Sequence, residues 1–322
     1  MVSILRLRDL VLVSLLGIGL AVSGFPSTAS AAPLQAAKQQ SFASPDAAVE
    51  ALVKAVRAED IKAQLDILGR GANALVVSGD PVADRTARQH FLDAYAAGHA
   101  LAPAGDGRMK LTIGANAWPL PIPLVQVANQ WRFDAGAGVQ TIVDRRIGRN
   151  ELMTIRTLLA VVAAQKDYFD RLQRGSGAGA YAQRVLSTPG KQDGLYWDAT
   201  AGEAPSPLGP LVEQAESEGY PGATATNGKA TPYQGYFYRM LKAQGGNAPG
   251  GAKDYVRGGR MTEGFAFVAW PAGYESSGIV TFLVDQDGTV FQKDLGRDTA
   301  KTAGGMTLFD PDITWTRIDV TD

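Results

Sequence analysis

The sequence predicts an α+β protein made of two successive helix-plus-antiparallel-sheet units, and three observations carry that prediction. An amphipathic segment at residues 150–170 is followed by Gly- and Tyr-rich sequence with strand patterning. Helical patterns also precede short strands in the first half of the chain. Near the C-terminus, Asp287-Gly288 joins two apolar strand segments, which is a hairpin signal.

The chain opens with Arg6 and Arg8, an apolar run from Leu10 to Val22, and Ala29-Ser30-Ala31. A charged start, an apolar stretch and a small-x-small site are the parts of a secretory signal. The run is 13 residues long, short of the roughly 20 that span a bilayer. These features predict a signal peptide over 1–31 cut after Ala31, a periplasmic or secreted chain, and no membrane span after cleavage. Removing residues 1–31 takes away Arg6, Arg8 and Asp9 and leaves 29 basic and 31 acidic residues, a net charge of −2. That balance gives no electrostatic footprint for nucleic acid. The chain has no Cys, which excludes disulfides, a thioether lipid anchor and a thiol nucleophile.

Residues 32–41 read as a disordered leader, 42–147 as the first unit and 148–322 as the second. Ser44-Pro45-Asp46 starts a helix that carries Ala48, Leu52, Val53 and Val56 on one face. Asp60 opens a short helix ending at Gly69, Ser78-Gly79-Asp80-Pro81 is a turn, and Asp84–Tyr95 is helical. Strands are predicted over Met109–Ile113, Leu124–Val127 and Trp131–Phe133. The Trp118–Pro123 stretch, with three prolines, fits only an extended edge or loop.

In the second unit, Asn150 is the predicted N-cap, with Gly148 just outside, and Leu152, Ile155, Leu159 and Val162 form an apolar stripe. The helix runs out at Arg174-Gly175-Ser176-Gly177. Leu211–Gly219 reads as a short helix. Strands follow at 233–241, 264–271, 278–284 and 289–293.

Several motifs occur in order: Trp118-Pro119, Trp131-x-Phe133-Asp134, Arg145-Arg146-Ile147-Gly148-Arg149-Asn150-Glu151-Leu152, Ala164-Gln165-x-x-Tyr168 and Tyr181-Ala182-Gln183-Arg184. Asp193-Gly194-Leu195-Tyr196-Trp197, Ser206-Pro207-Leu208-Gly209-Pro210 and Gly264-Phe265-Ala266 continue the series. Together they resemble the secreted bacterial family known as domain of unknown function 2950, over roughly residues 42–318. The resemblance implies a signal peptide and an envelope location and implies no activity. The chain departs from the family pattern at Gln234, where His is usual, which weakens any catalytic or metal role there. The first unit is similar to nuclear transport factor 2-like rolls. The second, weakly, resembles the globular part of pilins and pseudopilins, but its helix begins behind another unit, which argues against fibre assembly.

Candidate chemistry is sparse. His90 and His99 lack a third ligand at metal spacing, so no metal and no cofactor is expected. No Gly-x-Ser-x-Gly elbow presents a nucleophile. Glycan hydrolysis needs only two carboxyls, and Asp193, Asp198 and Glu263 are the candidates. Non-catalytic contact with an envelope glycan or an exported protein would draw on Tyr196, Trp197, Tyr236, Tyr238 and Trp270, because exposed aromatics offer large contact area. Asp285-Gln286-Asp287-Gly288 lacks the closing Glu of a calcium loop and reads as a turn. The basic run Arg145, Arg146 and Arg149 reads either as an anion site or as an interdomain lock on Asp134, Asp144 or Glu151. The expectation is a non-enzymatic periplasmic binding or scaffolding module. The alternatives are a glycoside hydrolase and a chaperone-like factor with an exposed apolar groove.

Overall fold

The computed structural model describes residues 39–199, 202–222 and 230–319. The expected signal peptide and residues 32–38 of the expected leader lie outside the described residues. The described chain belongs to one compact unit, and its class is mixed α+β, as the sequence predicts. Residues 39–41 are already tied down: Gln39 donates from Nε2 to the carbonyls of Ile67 and Phe133, and the Gln40 N–H reaches Asp66.

Among the described residues four α-helices come first. Helix α1 (Pro45–Arg57) starts where Ser44 accepts from the Ala47 N–H, with Pro45 in the first turn. Its apolar face buries Val49, Leu52, Val53 and Val56. Helix α2 (Ile61–Leu68) is capped by Asp60 and stops at Gly69, whose φ of 89° suits a residue without Cβ. A short α3 (Asn73–Val76) follows. Helix α4 (Pro81–Ala97) begins three residues before the sequence predicts, because Asp80 rather than a later residue caps it and Pro81 fits its first turn.

The first sheet is antiparallel, in the order β1 (His99–Pro103), β2 (Arg108–Ile113), β4 (Leu124–Val127), β5 (Gln130–Phe133). The two-residue β3 (Trp118–Pro119) pairs with β2 and leaves Trp118 exposed. Leu111, Leu124 and Phe133 face inward onto α1 and α2.

Helix α5 (Val139–Ser176) is 38 residues long, about 57 Å at 1.5 Å per residue. Two sequence expectations are corrected here. The helix starts eleven residues before Asn150, so Asn150 is interior and buried, not an N-cap, and Gly148 is helical. Gly138 sets the start: a Cβ there would lie 2.0 Å from the Pro121 carbonyl oxygen. The stripe is also rotated. Leu152 is 62% exposed, while Thr154, Thr157, Leu158, Val161, Gln165 and Tyr168 are buried. Gln165 can lie inward because its amide both donates to and accepts from the Ala182 backbone.

Irregular chain and α6 (Gly209–Ser217) lead into the second sheet. Its strands are β6 (Tyr236–Leu241), β11 (Ala266–Pro271), β12 (Val280–Asp285), β13 (Val290–Asp294) and β14 (Thr316–Ile318). They are antiparallel, in the order β14-β13-β12-β11-β6. Two small pairs lie between β6 and β11: β7 (Ala243–Gln244) with β8 (Lys253–Asp254), and β9 (Val256–Arg257) with β10 (Arg260–Met261). Helix α7 (Thr299–Gly305) packs on β11, and Arg239 on β6 donates to the carbonyls of Ala303, Gly304 and Met306 at its end.

The described residues form two apolar cores, and α5 contributes to both. Val139, Val143 and Ile147 join the core of α1, α2 and the first sheet. Leu158, Val161, Val162 and Tyr168 join that of the second sheet. The boundary placed at residue 148 falls inside this helix.

Candidate functional site

Helix α4 is where the packing loosens. It is 17 residues long, yet Asp84 is its only buried residue, while Phe91 and Leu92 stay half-buried. A helix of that length ordinarily buries an apolar stripe. Instead, a cavity of about 670 Å³ opens between α4, α1, α3 and the first half of α5. Leu52, Val56, Leu75, Phe91, Ile122 and Ile142 form its apolar wall. The size lies within the range of small-molecule sites.

One end of α4 is fixed firmly. The buried Asp80 carboxylate accepts from the Val82 and Ala83 N–H groups at the helix start. It also accepts from the Tyr220 hydroxyl at 2.9 Å and the Gly235 N–H at 2.8 Å. Burial, with Asp80 beside it, pushes the Tyr220 phenol well above the ordinary range. Gly79 is required here, because its φ is +98° and a Cβ would sit 2.9 Å from the Ala272 carbonyl carbon. Asp84 accepts from the Ser78 N–H.

The polar side of the cavity comes from α4, α5 and the segment after α6. Arg88, Arg145, Arg146, Arg149 and His90 line it with Asp84, Glu218, Tyr220 and Gln234. The arginines differ in their commitments. Arg146 is buried and donates to the carbonyls of Ala74, Leu75 and Ser276. Burial, and then Arg149 nearby, holds its pKa below the usual value against the pull of Asp84. Arg145 and Arg149 lie one turn apart on α5 and make no hydrogen bond or ion pair among the described residues. Arg88 approaches Glu59 only at 3.9 Å, and its buried Nε has no partner among the described residues.

The expected interdomain lock is therefore corrected in its partners. None of Arg145, Arg146 and Arg149 pairs with Asp134, Asp144 or Glu151. Asp134 faces Arg108 at 3.7 Å, and Asp144 accepts from Gln140. Arg146 and Glu151 do tie α5 to later chain, Glu151 by accepting from the Ile279 and Val280 N–H groups.

The expected glycan contacts are scattered. Tyr236 is fully buried and its hydroxyl donates to the Val280 carbonyl, so it offers no contact surface. Tyr238, two residues on and on the same strand face, encloses its hydroxyl against Thr154. Trp270 is half-buried between Phe237 and the Arg239 guanidinium, 5.5 Å from its ring centroid. Tyr196 donates to Asp198, whose carboxylate pushes the phenol up to about 12. Trp197 donates to the Ala204 carbonyl.

The carboxyl candidates are tied locally. Asp193 accepts from the backbone N–H and hydroxyl of Thr188, which hold it below the usual carboxylate range. Glu263 faces Arg257 at 3.7 Å. His99 stacks on Tyr95. Among the described residues, no three of His, Asp and Glu gather where they could hold a metal ion. Of the cavity's arginines, the sequence singles out Arg145, Arg146 and Arg149 but not Arg88, and nothing in it joins them to the apolar wall. Arg145 and Arg149 one turn apart were the available signal; Leu52, Phe91 and Gln234 come together only through the fold.

A family described as a protein of unknown function (DUF2950) matches residues 39–318. This chain belongs to the DUF2950 family. The match begins at Gln39, the first described residue, and takes in every element that forms the cavity. Comparisons with curated proteins and with solved structures gave no match.

Proposed function

We propose that this DUF2950 protein is a non-enzymatic binding module of the cell envelope that takes one small, apolar-bodied molecule into the cavity beneath α4. The observation that carries this reading is a helix of 17 residues that buries only Asp84 and stands over an apolar wall. Fixed at Asp80 and loosely packed beyond it, α4 keeps the space open at little cost. The signal-like residues 1–31 support an envelope location. Helices packed on an antiparallel sheet support a roll similar to nuclear transport factor 2-like domains, and α5 ahead of the second sheet supports the pilin-like reading of that half. Asp193, Asp198 and Glu263, each engaged by close neighbours, give the glycoside hydrolase no support.

Titration of the mature chain with the neutral fluorophore N-phenyl-1-naphthylamine tests the proposal. Saturable one-site enhancement is expected, and Ala87→Trp, which places an indole in the cavity, is expected to abolish it while thermal stability is retained. No enhancement, or equal enhancement in the variant, overturns the reading.

A further inference from the structure

The cavity has a chemical polarity that narrows its occupant. Its lining carries four arginines against two carboxylates, a formal charge of +2. Both carboxylates already have donors: Asp84 takes the Ser78 N–H, and Glu218 takes the side-chain amides of Gln214 and Gln234. Arg146 is spent on three backbone carbonyls. Among the described residues, Arg88, Arg145 and Arg149 keep donors to spare, and the buried Nε of Arg88 has no hydrogen-bond partner. A buried donor left unmatched is destabilising, and an entering acceptor would relieve it. Guanidiniums present planar forks that suit carboxylate and phosphate oxygens. Beside them stands the apolar wall of Leu52, Val56 and Phe91.

We infer that the cavity binds a small amphipathic anion, its acidic group met by Arg88, Arg145 and Arg149 and its hydrocarbon body laid against the wall formed by α1 and α4. The inference rests on the binding-module reading and adds the charge of the ligand to it. It also gives the Arg145-Arg149 pair a role that an interdomain lock does not.

Four probes sharing a decyl chain separate the two claims: decanoate, decyl phosphate, decanol and decyltrimethylammonium, each titrated below its aggregation threshold by calorimetry. Either anion is expected to bind at least tenfold more tightly than decanol and decyltrimethylammonium. The preferred anion reports whether a carboxylate or a phosphate is the natural head. The double variant Arg145→Gln/Arg149→Gln changes two exposed residues. It is expected to lose the anion preference while keeping decanol binding, and added salt is expected to shrink the preference in the parent. Equal binding of all four, or a preference that survives the double variant and Arg88→Gln alike, overturns the anion inference and leaves the module reading standing. Failure of all four to bind overturns both.

Discussion

Asp285 closes the β12–β13 hairpin by accepting from the N–H groups of Asp287 and Thr289. Burial, chiefly, raises its pKa above the ordinary 3.8, with Asp287 adding to the shift. The folded protein therefore binds this proton more tightly than the unfolded chain does. Its contribution to stability is fully present below the unfolded value and is lost as pH rises through the folded one. Asp285→Asn removes the ionisation and keeps an acceptor oxygen. Urea unfolding between pH 4 and pH 7 should show the variant gaining on the parent as pH rises; the opposite trend would refute the assignment. Sequence alone read this loop correctly as a turn, because Asp-Gly at the tip is a local signal. It misread Tyr236 as a contact residue, because a Tyr facing water and a Tyr under a helix look alike along a strand.

At the scale of elements, the legible ones are those whose ends are written locally. Ser44-Pro45, Asp60 with Gly69, and Asp287-Gly288 mark α1, α2 and the hairpin. Strand β1 is not legible in the sequence because His-Ala-Leu-Ala-Pro has no β-branched residue and takes its order from pairing with β2. The sequence places the start of α5 too late, since Gly148 beside a basic run resembles a boundary. In the structure Gly148 is exposed, and a Cβ built on it meets nothing within 4 Å. Gly148→Ala is therefore expected to stabilise the protein by about 0.5–1 kcal/mol, the ordinary gain of alanine over glycine inside a helix. A raised urea midpoint checks it, and a lowered one would mean that α5 needs to bend there.

Across the whole molecule, the two cores are joined by α5, by Arg146 and by the carboxylate of Asp80. Asp80→Ala strips the cap from α4 and leaves the Tyr220 hydroxyl and the Gly235 N–H without an acceptor. Loss of a cap costs about 1 kcal/mol and each stranded buried donor about 1–3 kcal/mol, so a total near 3 kcal/mol or more is expected from urea unfolding. A loss under about 0.5 kcal/mol, within the range of ordinary surface changes, would show that the halves do not depend on this group. The cavity was not legible at this scale. Its lining runs from Leu52 to Gln234, and no periodicity or motif spans such a distance.

The bonds of Asp80 also set an order in time. Its partners Tyr220 and Gly235 lie 140 and 155 residues downstream. At 5–20 residues per second, a ribosome needs about 8–30 s to deliver the later one. Until Tyr220 is made the nascent first half carries a carboxyl with two of its four donors not yet synthesised, and until Gly235 is made one is still missing. Consolidation of α4 over its cavity waits for the second half to emerge. A chain stopped before Tyr220 is therefore an unfinished protein rather than a smaller one.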